Sequence, residues 1–283
     1  MPSRRNADPQ PRPTPRSAAV LSASVLSASV LSAPVLSMCG CGRAAYEERL
    51  TRTADYFAHV AKLNANLNAA DRHGGVAIRV PEQFGPVAED ESTEYSELQP
   101  YYIAAELPGV VAAYDASIGV DVDGEVQTFP AFIYVATNED RLLASATGGD
   151  GEDPLTFIEE VEYELQGVFQ VSLPTGDGGD GSQPNMRYPE LIPATPVYEP
   201  TKRYTAVRLQ APGGEPIAAI DTPMEYTLYT LTGAGDLQAA IFVVVPEQPV
   251  TAENLRQRIV LMLQTLELTA PRVGSPGSSA TAF

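Results

Sequence analysis

The sequence predicts an α/β protein of the α+β kind, in which a mainly antiparallel sheet is covered by helices and preceded by an N-terminal amphipathic helix. Three observations carry this. Asp123-Gly124 separates two strand-like runs, "SIGVDV" and "EVQTFPAFIYVAT", and is a strong two-residue hairpin signal. Residues 203 to 246 read as successive strands joined by short Gly/Pro turns. Helical spacing of apolar residues appears twice in the body, near 153–169 and 251–267.

The chain opens differently. "VLSASVLSASVLSAPVLSMCGCG", residues 20 to 42, repeats a five-residue unit that matches neither the helical nor the strand period. Its Val-Leu pairs are diluted by Ser and Ala, whereas a spanning helix needs about 20 strongly apolar residues. Upstream lie Arg4, Arg5, Arg12 and Arg16 with a single acid, Asp8. A basic region, a moderately apolar region and then small residues is the layout of a secretory signal, expected over residues 1–40. Its end resembles the lipobox of bacterial lipoproteins, in which an aliphatic residue, two small residues and a cysteine mark cleavage and the new N-terminal Cys is acylated. Two registers compete. Cys41 has Gly40 directly before it but Cys39 and Met38 further back; Cys39 has Leu36 and Ser37 well placed but Met38 adjacent. Cys41 is the preferred acylation site and Cys39 the alternative. The resemblance implies a membrane-anchored lipoprotein of the cell envelope, facing the periplasm or the exterior.

The only two cysteines in the chain are these. A C-x-C pair is too close for an easy bridge, and two sulfurs without neighbouring His cannot complete a tetrahedral zinc site. Acylation accounts for them better.

Charge excludes further classes. The chain carries 18 Lys+Arg against 36 Asp+Glu; without the four Arg and one Asp of the signal, 14 face 35, a net of −21. Nucleic-acid binding rests on cations that neutralise phosphates, so such partners are disfavoured. Anionic headgroups would repel the body as well. Residues 43–72 hold five basic and four acidic side chains, so the negative charge belongs to the body.

The segment 41–73 is the neck, joining the lipidated Cys to the body. Tyr46, Leu50, Phe57, Val60, Leu63 and Leu67 fall close to helical spacing, with Gly74-Gly75 as the stop. This amphipathic helix is expected to dock its apolar stripe on the body, a self-associating stalk being the alternative. His59 and His73, the only histidines, are expected to be surface or packing residues.

The body, 74–268, reads element by element. "GVAIRVP" (75–81) and "PYYIAAEL" (100–107) are strands, and the hairpin follows. A helix begins with Asp153 as N-cap and Pro154 at the first helical position; Phe157, Val161, Leu165 and Val168 form its apolar face and Glu159, Glu160, Glu162 and Glu164 its wet one. Then "PTGDGGDGSQPNMRYPELIPATPVYEPTK" reads as a loop or covering strap. "RYTAVRLQ", "PIAAIDTP", "MEYTLYTLTG" and "LQAAIFVVVPE" are strands, the last apolar enough to be central and covered on both faces. A closing helix from Thr251 would supply one cover through Leu255, Ile259, Met262, Leu263 and Leu266, and Val243 and Leu263 should be core. Residues 269–283 are expected to be disordered.

From its "GVAIRVPEQF" strand to its closing amphipathic helix, this order resembles the Mog1/PsbP-like sandwich over roughly residues 74–268. The resemblance implies a partner-binding or assembly module, some members being secreted lipoproteins, and transfers no functional residue.

The body holds no G-x-S-x-G elbow, no P-loop, no G-x-G-x-x-G after a strand and no H-E-x-x-H, and no cofactor is expected. Asp121, Asp123 and Glu125, with Asp177 and Asp180, offer oxygens of the kind calcium prefers, but the first three fit a hairpin turn and neither group completes a calcium loop with a distal Glu. Tyr101, Tyr102, Tyr226 and Tyr229 fit half-buried strand positions. The sequence therefore favours a lipid-anchored, non-catalytic envelope module with a protein partner. A carboxylate-dependent envelope hydrolase, glycosidase-like, is the alternative, and convergence of Asp115, Asp121, Asp123 or Glu125 in a concave pocket would favour it.

Overall fold

The computed structural model describes residues 40–87, 103, 107–148, 152–174, 181–195, 197–210, 224–252 and 254–270. Two compact units divide the chain, residues 1–51 and 52–283. The signal segment, Cys39, the side chain of Cys41, Tyr101, Tyr102, Asp177, Asp180, most of the expected strands at 100–107 and 216–223, and the tail from 271 lie outside the described residues.

Helix α1 covers Gly40–Asn64. Short strands β1 (Asp71–His73), β2 (Val76–Ile78) and β3 (Gly85–Pro86) follow. The long arms β4 (Val110–Val122) and β5 (Glu125–Thr137) lead to α2 (Glu139–Ala146) and α3 (Phe157–Phe169). Then come β6 (Arg187–Ile192), β7 (Lys202–Leu209), β8 (Met224–Thr232), β9 (Gln238–Pro246), α4 (Leu255–Thr265) and β10 (Glu267–Leu268).

Seven strands form one antiparallel sheet in the order β3-β4-β5-β9-β8-β7-β6, and β1-β2-β10 form a small second sheet. This is the α+β arrangement, a mainly antiparallel sheet covered by helices, that the sequence predicts. The β4–β5 hairpin closes at Asp123 (φ 55°) and Gly124 (φ 87°), the paired positive φ values of a two-residue turn that matches strand twist.

Strand β9 is buried along its whole length and central. Period two explains how. Ile241, Val243 and Val245 join the core under α4 with Leu255, Ile259, Met262 and Leu263, while Ala240, Phe242 and Val244 join the opposite core with Phe157, Val161, Leu165 and Phe169 of α3. Each helix thus covers one face.

Several expectations are corrected. The neck helix stops at Asn64, and Gly74-Gly75 instead turn β1 into β2. Gly74 has φ +56° and a Cβ there would collide with the Glu139 carboxylate, which accepts the Gly75 N–H at 2.7 Å. Within the second unit the expected apolar stripe is not uniformly buried: Phe57 is exposed, whereas Leu63 and, beyond the helix, Leu67 are buried. At about 100° per residue Leu63 sits roughly 120° around the helix from Phe57, so one stripe cannot present both. Asp153 caps a 3₁₀ turn, Pro154–Thr156, its side chain accepting the Leu155 N–H, before α3 proper begins at Phe157. Glu162 is not on the wet face. It is buried in a two-pronged pair with Arg187 of β6, Nε donating to Oε1 at 2.9 Å and Nη2 to Oε2. Finally, the Gly/Pro-rich segment contains strand β6, an edge strand among the described residues, whose Pro189 is tolerated because only one side of that strand is paired there.

Candidate functional site

Helix α4 is 11 residues long, about 16 Å, and cannot span a sheet of seven strands at about 4.8 Å spacing. Beyond its edge the same sheet face turns polar. On β6 this face carries Tyr188 and Glu190, on β7 Ala206 and Arg208, and on β8 Glu225, Thr227 and Tyr229. Register aligns them in rows: Tyr188 opposite Ala206 opposite Tyr229, then Arg208 opposite Thr227 opposite Val243.

The result is a cleft of about 180 Å³ lined by Tyr188, Glu190, Arg208, Glu225, Thr227 and Tyr229 with Val243, Val245 and, from α4, Arg256, Ile259 and Val260. Arg256 Nη2 lies 2.6 Å from Glu225 Oε2, and the Thr227 hydroxyl donates to Oε1 at 3.5 Å. Arg208 Nε approaches the same carboxylate only to 3.8 Å. Burial pushes the Glu190 carboxyl above its ordinary value, Arg208 opposing and Glu225 adding to the shift. The Tyr229 phenol is raised by burial and then by Glu190, and the ring meets Tyr204 edge-on at 6.2 Å. The cleft thus combines two carboxylates, two guanidinium groups and three hydroxyls over an apolar floor, which suits selective binding of a small polar ligand.

A second cluster ties the small sheet to the large one. The buried Tyr114 hydroxyl donates to Asp71 Oδ2 at 2.9 Å, and His73 Nε2 lies 3.0 Å from the same oxygen. Burial pushes Asp71 up, but the hydrogen bonds from His73 and Tyr114 outweigh it and hold the carboxyl below its usual value. His59 stacks on Tyr198 at 5.0 Å, beside a shallow hollow of about 210 Å³.

The residues singled out in the sequence lie elsewhere. Asp121, Asp123 and Glu125 are exposed at the hairpin tip, where Asp121 Oδ1 accepts the Gly124 N–H at 2.8 Å. Neither they nor Asp115 line the cleft. Among the described residues no three His, Cys, Asp or Glu side chains group closely enough to hold a metal ion, and no helix is long and apolar enough to cross a membrane. Of the tyrosines, Tyr226 is core on the α3 side, whereas Tyr229, an odd three residues on and so on the opposite face, lines the cleft.

Sequence reasoning missed the cleft because its residues are scattered from 188 to 260 without a spacing motif. One signal exists: Glu225, Thr227 and Tyr229 alternate along β8 with Met224, Tyr226 and Leu228, a polar stripe on a face that an apolar helix should cover.

No family model matches the chain, and no curated protein matches it either. Among solved structures it is similar to the Saccharomyces cerevisiae Ran-binding protein Mog1p, at 13% identity over 69% of this chain and 90% of that one, with a TM-score of 0.29.

Proposed function

We propose that this chain is a lipid-anchored envelope protein that works as a binding or assembly module rather than a catalyst, held at the membrane through acylated Cys41, or Cys39. The sheet domain then faces the periplasm or the exterior and meets a protein partner there. The observation that carries the binding role is the cleft over β6–β9, where specificity-giving charges and hydroxyls surround an apolar floor and the lining holds neither Cys nor His. The anchor rests on the basic, apolar, small-residue order before the cysteines, and the acidic body keeps itself off anionic headgroups.

Two measurements test the two halves. Acyl labelling with membrane fractionation should lose its signal when both Cys39 and Cys41 are replaced by Ser; unchanged labelling refutes the anchor. A photo-crosslinker placed at Arg256, on the cleft rim, should give a discrete product on native membranes that the same group at exposed Ser117 does not. Equal products from both positions refute the binding role.

One observation favours a second reading, a carboxylate-dependent hydrolase. Glu190 and Glu225 share the cleft, and burial favours the protonated form of Glu190 while Arg256 pairs with Glu225. Saturable glycan hydrolysis lost in both Glu190→Gln and Glu225→Gln would establish it.

A further inference from the structure

Within the cleft, one charge has no counter-charge and another is paired only loosely. Glu225 is paired with Arg256 at 2.6 Å. Arg208, with 48% of its side chain exposed, stands 3.8 Å from Glu225, beyond hydrogen-bond range. Glu190 is half-buried, and among the described residues no cation pairs with it; Arg208 acts on it only through space. Two guanidinium groups therefore share Glu225, leaving one positive charge in excess there, while Glu190 on β6 leaves one negative charge in excess. Beneath them Val243 and Val245 of β9 and Ile259 and Val260 of α4 supply apolar surface.

A ligand of single sign fits this poorly. A cation drawn to Glu190 would face Arg208 and Arg256, and an anion drawn to Arg208 would face Glu190 and Glu225, so either leaves a charge uncompensated. A ligand carrying both signs close together leaves none. The volume, about 180 Å³, is small for a chain and adequate for one residue. Adjacent charges of both signs on one small molecule with an apolar branch describe a free α-amino acid, since a peptide bond would neutralise one or the other.

Resting on the binding-module reading above, we propose that the cleft binds a free aliphatic α-amino acid, its ammonium on Glu190, its carboxylate on Arg208 and its side chain against Val243, Val245 and Ile259. Tyr188 and Tyr229, on either side of Ala206, bound the ammonium end. Binding is linked to pH through Glu190, whose surroundings are Tyr188 on its own strand, Arg208 on β7, Glu225 and Tyr229 on β8, and Arg256 on α4. Burial favours its protonated form, and an arriving ammonium favours the carboxylate, so affinity rises as pH rises through the Glu190 range.

Calorimetric titration of the full-length protein tests this with three probes: L-leucine, 3-methylbutylamine, which lacks the carboxylate, and 4-methylpentanoate, which lacks the ammonium. L-leucine should bind saturably, and each half-ligand about tenfold more weakly or worse, the effect of losing one charge-assisted contact. Glu190→Gln should weaken L-leucine and the amine about tenfold and leave 4-methylpentanoate unchanged; Arg208→Gln should do the reverse. No saturable L-leucine binding by folded wild-type protein, or half-ligands that match it, overturns the proposal without any variant. If L-leucine fails while the Arg256 crosslink persists, the binding-module reading stands and the ligand assignment falls.

Discussion

Removing Arg187 should cost this protein more than removing its partner. Arg187 leads edge strand β6, and its guanidinium reaches Glu162 of α3 with two prongs while Nη1 donates to the Pro174 carbonyl. The Glu162 side chain is 6% exposed and that of Arg187 19%. In Arg187→Met the carboxylate stays buried without its counter-ion, a loss of about 3–5 kcal/mol. In Glu162→Met the guanidinium keeps the Pro174 carbonyl and some solvent, so the loss should be nearer about 1–3 kcal/mol. The double Met variant, which removes both charges, should return to within about 1–2 kcal/mol of wild type. Urea unfolding at pH 7 followed by circular dichroism reads all three, provided the slope with denaturant is unchanged. A cost under about 1 kcal/mol for Arg187→Met, or a double variant equal to the sum of the singles, would refute the idea of a buried, coupled pair.

Leu263→Ala and Val243→Ala, both in the core under α4, should each cost about 2–4 kcal/mol, with one cooperative transition for residues 74–268; two separate transitions would argue for independent parts. Asp71 is held below its ordinary value, so it contributes stability that is present above about pH 4 and lost as pH falls through its folded pKa. Asp71→Asn should therefore flatten the acid limb of the stability profile, and a profile unchanged by this substitution would show that the His73 and Tyr114 contacts do not stabilise the fold. Glu190 is shifted the other way: the folded state holds its proton more tightly, so wild type loses stability as pH rises from about 4.5 through the folded value. Glu190→Gln should accordingly gain relative to wild type between pH 4 and pH 7, and a constant difference across that range would contradict the burial argument.

What could be seen in the sequence was whatever a short stretch decides for itself. Asp123-Gly124 dictates a turn with positive φ at both positions, so the β4–β5 hairpin is legible without its neighbours. The apolar run of β9 likewise announces a strand covered on both faces. What escaped was set by partners distant in the chain. Glu162 lies in a helix of four glutamates and reads as solvated, because Arg187, which buries it, is 25 residues away. Strand β6 contains Pro189 amid Gly/Pro-rich neighbours, and only its place at a sheet edge makes that proline admissible. Helix α2 buries no residue, so it casts no apolar period to find. The cleft required three strands to be put in register before Tyr188, Ala206 and Tyr229 formed a row.

That row is also where the fold departs from the choice that stability alone would make. One 11-residue helix leaves part of a seven-stranded face uncovered, and apolar side chains at 190, 208 and 225 could have closed over it with β9 and α4. Instead a half-buried carboxylate is kept where burial disfavours its charge, and an arginine stands beyond hydrogen-bond reach of the nearest acid. Each of these choices works against the folded state on its own. Selection for stability favours neither of them, and local departures from packing logic of this kind concentrate at sites where something else must fit. Asp121, Asp123 and Glu125 show the contrast: they stand in solvent, Asp121 already serves its own turn, and their positions follow from hairpin geometry alone. Acidic residues at a turn need no ligand to explain them, whereas opposed charges kept apart in a half-covered cleft do.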